Sequence, residues 1–210
     1  GDLGHDLVAH GDQRLQHGKH VCAALGDRRP RPAGLRGARA AVQSVRAQER
    51  FMQADLNWDD LAWMREQWRG PLYIKGLTDP DDAQRAVDGI GVDGLVVSNH
   101  GGRQLDNMLA TADALPAIVE RVGDRCEVLL DGGIRRGTDV VKALCLGARG
   151  VFIGRPYVYG LAAGGEAGVR SVLALLRAEI ERALVLMGCP GVSQLDRSWL
   201  LPATTGSEHP

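Results

Sequence analysis

Four short apolar runs constrain this chain more than any other feature, because each closes on a polar or glycine-bearing turn. They are Leu72-Tyr73-Ile74 before Lys75-Gly76, Leu95-Val96-Val97 before Ser98-Asn99-His100-Gly101-Gly102-Arg103, Val128-Leu129-Leu130 before Asp131-Gly132-Gly133, and Val151-Phe152-Ile153 before Gly154-Arg155. Short aliphatic runs bounded by turn signals read as strands buried on both faces. Helix-length segments separate them. One starts at the N-cap Asn57, has Asp59 and Asp60 in its first turn, carries Leu61, Met64 and Trp68 on one face, and stops at Gly70-Pro71. A second follows Asp79-Pro80 with Ala83, Val87 and Ile90 inward, and a third runs from Thr111 past Pro116 with Leu115, Ile118, Val119 and Val122 inward. Thr138 caps a fourth, with Val140, Val141 and Leu144 buried and Gly147 closing it. After a short turn at 157–161, a last helix spans roughly 166–187, with Val169, Leu173, Leu176, Ile180, Leu184 and Met187 as its stripe. Strands alternating with helices at this spacing predict a parallel sheet with helices outside. An open doubly wound sheet fits the alternation too. Reactive residues at the ends of four successive strands are the habit of a (β/α)8 barrel.

The totals narrow the function classes. A formal net charge of -1 argues against nucleic acid or an anionic membrane as a bulk electrostatic partner. Hydrophobic residues make up 44% of the 210, enough for one core. No apolar run approaches the roughly 20 residues that a membrane helix needs. The opening Gly1-Asp2-Leu3-Gly4-His5-Asp6 lacks the basic and apolar regions of a signal peptide. Cys22, Cys126, Cys145 and Cys189 show no CxxC spacing and read as free thiols of a reducing cytoplasm, not as metal ligands or a disulfide frame. Residues 1–45 differ in texture. His5, His10, His17 and His20 precede Arg28-Arg29-Pro30-Arg31-Pro32 with little apolar periodicity, so a largely irregular segment is expected. The chain thus divides into an Arg/Gly/Ala/His-rich stretch at 1–45, an α/β unit at 46–201 and a tail at 202–210.

The strand ends carry chemistry. His100 can move a proton near neutral pH, and Arg103 can hold a carboxylate or phosphate through two parallel hydrogen bonds. Gly132 and Gly133 with Arg135, and Gly154 with Arg155, form glycine turns on the last two strands, each with an arginine. Glycines let backbone N–H groups approach an anion, guanidinium groups neutralise it, and barrels commonly hold a phosphate at this place. Lys75, alone at its strand end, is placed to stabilise negative charge on a cofactor ring.

Ser98-Asn99-His100-Gly101-Gly102-Arg103-Gln104-Leu105-Asp106, followed by Leu130-Asp131-Gly132-Gly133-Ile134-Arg135-Arg136-Gly137-Thr138-Asp139, resembles the FMN-dependent 2-hydroxy acid oxidases and dehydrogenases. That family includes glycolate and lactate oxidases, lactate monooxygenase and mandelate dehydrogenase. The resemblance runs from residue 45 or so to residue 200 or so and includes Ile153-Gly154-Arg155 and Tyr159-Gly160-Leu161-Ala162. It implies the last four β/α units of a TIM (β/α)8 barrel holding FMN, and oxidation of a small (S)-2-hydroxy acid to the 2-oxo acid. His100 is then the base that takes a proton from the substrate as its hydride equivalent passes to the flavin, and Arg103 clamps the substrate carboxylate. Lys75 lies by the flavin N1/C2 carbonyl, Ser98 bonds the flavin, and Asp131 holds ribityl hydroxyls. Gly132, Gly133, Ile134, Arg135, Gly154 and Arg155 complete the FMN site. Oxygen, a quinone or a cytochrome is the implied electron acceptor, with a homo-oligomer where the barrel is complete.

The resemblance also implies four earlier strands, which supply a tyrosine at the substrate hydroxyl, a second substrate arginine and an acid orienting the histidine. Residues 1–45 match none of these, and Tyr73, Tyr157 and Tyr159 all fall in the matched half. Unpaired strand edges and an open apolar interior are aggregation risks. The expectation is weak or absent turnover by this chain alone, whether as a gene fragment, with a misassigned start, or as a half-barrel completed by another chain. The alternative is a non-catalytic half-barrel with at most weak FMN or phosphate binding.

Overall fold

The structure, a computed structural model, describes residues 57–201. The expected irregular segment at 1–45 and the tail at 202–210 lie outside the described residues. Helix α1 (Trp58–Gln67) opens as its sequence predicts: the Asn57 side chain accepts from the Asp59 N–H, and Asp60 accepts from the Asn57 N–H, both at 2.8 Å. It ends before Trp68, which was expected on its apolar face. The Arg65 guanidinium gathers the Trp68 and Gly70 carbonyls and the Asp93 carboxylate, and the Trp68 indole donates to the Pro71 carbonyl. Trp68 is consequently drawn off the helix and stays 43% exposed.

Strands β1 (Tyr73–Leu77), β2 (Gly94–Val97), β3 (Glu127–Leu130) and β4 (Gly150–Val151) form one sheet in that order, every neighbouring pair parallel. A doubly wound sheet reverses its strand order at a switch point; the described strands do not, which favours the barrel arrangement. The crossovers are α2 (Pro80–Arg85), which runs into a π-helical turn at Ala86–Ile90, then α3 (Thr111–Val122) and α4 (Gly137–Cys145). Helix α5 (Arg155–Met187) follows β4.

Side chains alternate across a strand, and this sorts the core from the site. Ile74, Leu95, Val97, Val128 and Leu130 face the helices, where they pack with Leu115, Ile118 and Val122. Burying each such side chain is worth about 1.5–3 kcal/mol over leaving it in water. Lys75, Val96, Ser98 and Asp131 therefore fall on the opposite face. Strand β1 continues through Lys75 and Gly76, which had been expected to follow it. Its pairing jumps from Lys75↔Val96 to Leu77↔Val97, so Gly76 (φ 110) is a bulge that returns Leu77 to the core. At the other end of the sheet the Tyr73 ring crosses β2 over Gly94, where a Cβ would lie 2.1 Å from it, and the hydroxyl donates to Glu127 on β3.

Four further expectations change. Strand β4 stops at Val151, although the Phe152 N–H still donates to the Leu130 carbonyl at 2.9 Å. Thr138 is the second residue of α4 rather than its cap; Asp139 does the capping, reaching back to the Arg136 N–H. The expected turn at 157–161 is helical, and α5 instead kinks at Gly164 (φ −154) and Gly165 (φ 58). There Gly160 and Gly168 meet backbone to backbone, since a Cβ on Gly168 would sit 1.9 Å from the Gly160 carbonyl oxygen. Of the expected α5 stripe, Leu176 is buried while Leu173 is 51% exposed.

Candidate active site

The inward residues at the carboxyl ends of β1, β2 and β3 touch one another. The Lys75 Nζ lies 2.8 Å from Asp131 Oδ2, 2.7 Å from Ser98 Oγ and 3.5 Å from His100 Nδ1. The ammonium thus donates to Asp131 and Ser98 and lies beside the His100 ring nitrogen. The ion pair is largely shielded, with side-chain exposures of 25% and 17%. Lys75, expected to stand alone, is partnered. Ser98 is 1% exposed and its Oγ also accepts the His100 N–H at 3.1 Å, which fixes the start of the following turn.

That turn is a 3-10 helical turn at His100–Gly102. His100 has φ 53, a left-handed backbone uncommon outside glycine and often found at functional sites. Asn99 pins the loop from both sides: its Oδ1 accepts the Gly101 N–H at 3.0 Å and its Nδ2 donates to the Leu109 carbonyl at 3.2 Å. Arg103 follows directly and is exposed. The Arg155 guanidinium, from the first residue of α5, comes within 3.2 Å of where a Gly101 Cβ would stand. The β4 end and the β2 end of the site are therefore adjacent.

Gly132 (φ 93) and Gly133 (φ 78) form the turn after β3, followed by buried Ile134 and exposed Arg135. A Cβ on Gly132 would lie 3.0 Å from both Asn99 Oδ1 and Thr111 Oγ1. Around Gly133 and Gly154 nothing stands within 4 Å of the Cβ position. An open cleft of about 480 Å³ runs past Asn99, Gly101, Thr111, Gly133, Ile134 and Arg155.

Two observations test whether these residues suit a flavin mononucleotide. Asp131 Oδ1 is buried without a hydrogen-bond partner among the described residues, an acceptor suited to a hydroxyl donor. Gly133 and Gly154 leave open space where side chains would crowd an anion, beside two exposed arginines. The residues fit the group.

Sequence reasoning assigned no role to Thr111, Asn99, Asp139 or Glu179. Thr111, 3% exposed, donates to the Asp131 carbonyl at 2.7 Å and ties α3 to the turn after β3. Asp139, three residues after the N-cap Arg136, carries a recognisable capping signal. Glu179 carries none, because it meets the turn from 42 residues away. The described cysteines Cys126, Cys145 and Cys189 are free, and burial pushes the Cys126 and Cys145 thiols above their usual range.

A sequentially ordered parallel sheet with polar residues gathered at its carboxyl ends places the chain among the α/β-barrel proteins. Residues 8–202 match the family model described as FMN-dependent dehydrogenase, and the chain belongs to that family of FMN oxidoreductases. The match begins well ahead of residue 45, where the motif-based resemblance starts. Over 145 residues the chain is 57% identical to an L-lactate dehydrogenase of Caulobacter vibrioides (strain NA1000 / CB15N), covering 69% of this chain and 38% of that protein. It is also 57% identical, over 138 residues, to a pre-mycofactocin synthase of Mycolicibacterium smegmatis (strain ATCC 700084 / mc(2)155), covering 66% and 34%. Among solved structures, the monotopic membrane protein (S)-mandelate dehydrogenase superposes with a TM-score of 0.71 at 44% identity, covering 76% of this chain and 42% of that one. The chain spans about two fifths of the length of the relatives it matches. Among the described residues, no helix is long and apolar enough to cross a membrane.

Proposed function

We propose that this chain carries the FMN-binding and base-bearing half of an enzyme that oxidises a small (S)-2-hydroxy acid to the 2-oxo acid. The observation that carries the reading is the mutual contact of Lys75, Ser98, His100 and Asp131 at the ends of three adjacent strands. FMN, when bound, supplies a two-electron acceptor. The residues of the chain divide the remaining tasks. His100 takes a proton from the 2-hydroxy acid at a ring nitrogen, and Arg103 holds the carboxylate in a two-pronged hydrogen bond. Lys75 supplies positive charge beside the flavin ring and Ser98 a hydroxyl, while Asp131 accepts from the ribityl hydroxyls through Oδ1. Gly132, Gly133, Ile134, Arg135, Gly154 and Arg155 hold the phosphate end.

The substrate is proposed at the level of class, because equal identity to a lactate dehydrogenase and a pre-mycofactocin synthase makes this half common ground. Oxygen, a quinone or a cytochrome takes the electrons onward, and the assembled enzyme is a homo-oligomer. Free thiols at Cys126, Cys145 and Cys189 suit a cytoplasmic setting.

The test is anaerobic. FMN-loaded protein should lose its visible flavin absorbance on addition of lactate, glycolate or mandelate, and His100→Gln should abolish that bleaching while FMN stays bound. Loaded protein that none of the three acids bleaches refutes the activity and leaves a non-catalytic FMN-binding half-barrel. Loss of FMN by His100→Gln would make the histidine structural instead.

A further inference from the structure

The turn between β3 and α4 is pinned at both ends by side chains outside the FMN set. Upstream, the Thr111 hydroxyl holds the Asp131 carbonyl at 2.7 Å. Downstream, one carboxylate oxygen of Asp139 accepts the backbone N–H groups of both Arg135 and Arg136, each at 2.9 Å. Glu179, from the middle of α5, accepts the Gly137 N–H at 2.7 Å through Oε2 and meets the Arg136 guanidinium at 3.4 Å through Oε1. Arg136 is 74% exposed, so its ion pair is screened and the backbone contact is the stronger of the two. Gly137 must lack a Cβ, which would fall 2.5 Å from the Ile180 nitrogen and 2.6 Å from the Glu179 Cβ. Helix α5 therefore lies directly on the start of α4.

Three consecutive N–H groups at the start of α4 are thus satisfied by two acids of the chain itself. A helix N-terminus draws anions through its unpaired N–H groups. Here two carboxylates already stand in that place, and a third anion would meet their charge. A phosphate is directed instead to the glycine side of the turn, toward Gly133 and the guanidinium groups of Arg135 and Arg155.

We propose that Asp139 and Glu179 are the positioning residues of the phosphate turn. They act through the backbone, holding residues 135–137 so that Arg135 and Gly133 are presented to the FMN phosphate. The inference rests on the FMN reading given above, and riboflavin, which lacks the phosphate, separates the two. The full chain and its variants are titrated with FMN and with riboflavin by quenching of flavin fluorescence. Wild type should prefer FMN. Asp139→Ala removes a charged acceptor of two hydrogen bonds and should weaken FMN about tenfold or more, with riboflavin affinity unchanged. Asp139→Asn keeps a carbonyl acceptor and should recover much of the loss. Glu179→Ala reaches the turn from another helix, should show the same phosphate-specific loss, and serves where Asp139→Ala fails to fold. Variants that weaken both flavins in equal proportion, or neither, overturn the positioning role. A wild type that binds FMN no better than riboflavin refutes the phosphate assignment and the inference with it.

Discussion

Replacing Lys75 by Met should destabilise the flavin-free protein by roughly 3 kcal/mol. Exposed ion pairs contribute about 0–1 kcal/mol, whereas removing one partner of a buried pair costs about 3–5 kcal/mol. With side-chain exposures of 25% and 17%, the Lys75–Asp131 pair lies between those limits. The condition of Asp131 moves the expectation upward. Its Oδ1 already lacks a partner among the described residues, so the Met variant would leave a shielded carboxylate with neither oxygen bonded there. Ser98 loses a 2.7 Å hydrogen bond at the same time. A loss of about 3 kcal/mol corresponds to roughly 6–12 °C in Tm for an ordered unit of this size. Asp131→Asn alone should cost less, about 1–2 kcal/mol, because the amide oxygen still accepts from the ammonium. The double variant contains no stranded charge, so its loss should fall short of the sum by about 1–2 kcal/mol. Urea unfolding of the four flavin-free proteins, followed by circular dichroism, closes the cycle. Additivity within about 0.5 kcal/mol would refute the reasoning, since two groups that do not sense each other cannot be a coupled pair.

Two further perturbations probe the frame around the site. Gly137→Ala pushes a Cβ into the α5 backbone, which cannot rotate aside as a side chain would; thermal unfolding should show a loss of about 1–3 kcal/mol, and an unchanged Tm would show that the two helices are not in contact there. Tyr73 concerns alkaline stability: its hydrogen bond to Glu127, then burial, push the phenol from its usual 10.0 up to about 12. Because the folded state keeps this proton longer than the unfolded chain, the contribution is full below pH 10.0 and is lost as pH rises toward about 12. Denaturation midpoints across that window should fall for wild type and fall less for Tyr73→Phe.

The sheet was legible in sequence because strands buried on both faces read as unbroken aliphatic runs, as Leu95 to Val97 do. What escaped depends on contacts between distant residues. Lys75-Gly76 looks like a strand end, and only the pairing of Leu77 with Val97 reveals a bulge. A short turn was expected at 157–161, but that stretch is helical and its Gly160 serves a close backbone crossing with Gly168 that local propensity does not encode. At the site, the types of residue were readable from chemistry at strand ends. The pairing of Lys75 with Asp131 was not, since it needs the sheet to bring β1 and β3 within reach across β2.

The kink at Gly164–Gly165 divides α5 into two screws that touch where Gly160 crosses Gly168. Each added residue turns a helix by about 100°. Beyond the kink, Glu179 faces Gly137 as a matter of phase: one residue inserted between Gly165 and Glu179 would swing the acid away from the turn without changing any residue that contacts it. Ahead of the kink, the same insertion would leave Glu179 in phase and shift Arg155 instead. Arg155 and Glu179 thus come from one chain element, each in phase with its own side of the kink, and the Gly160–Gly168 crossing is the point the two halves share.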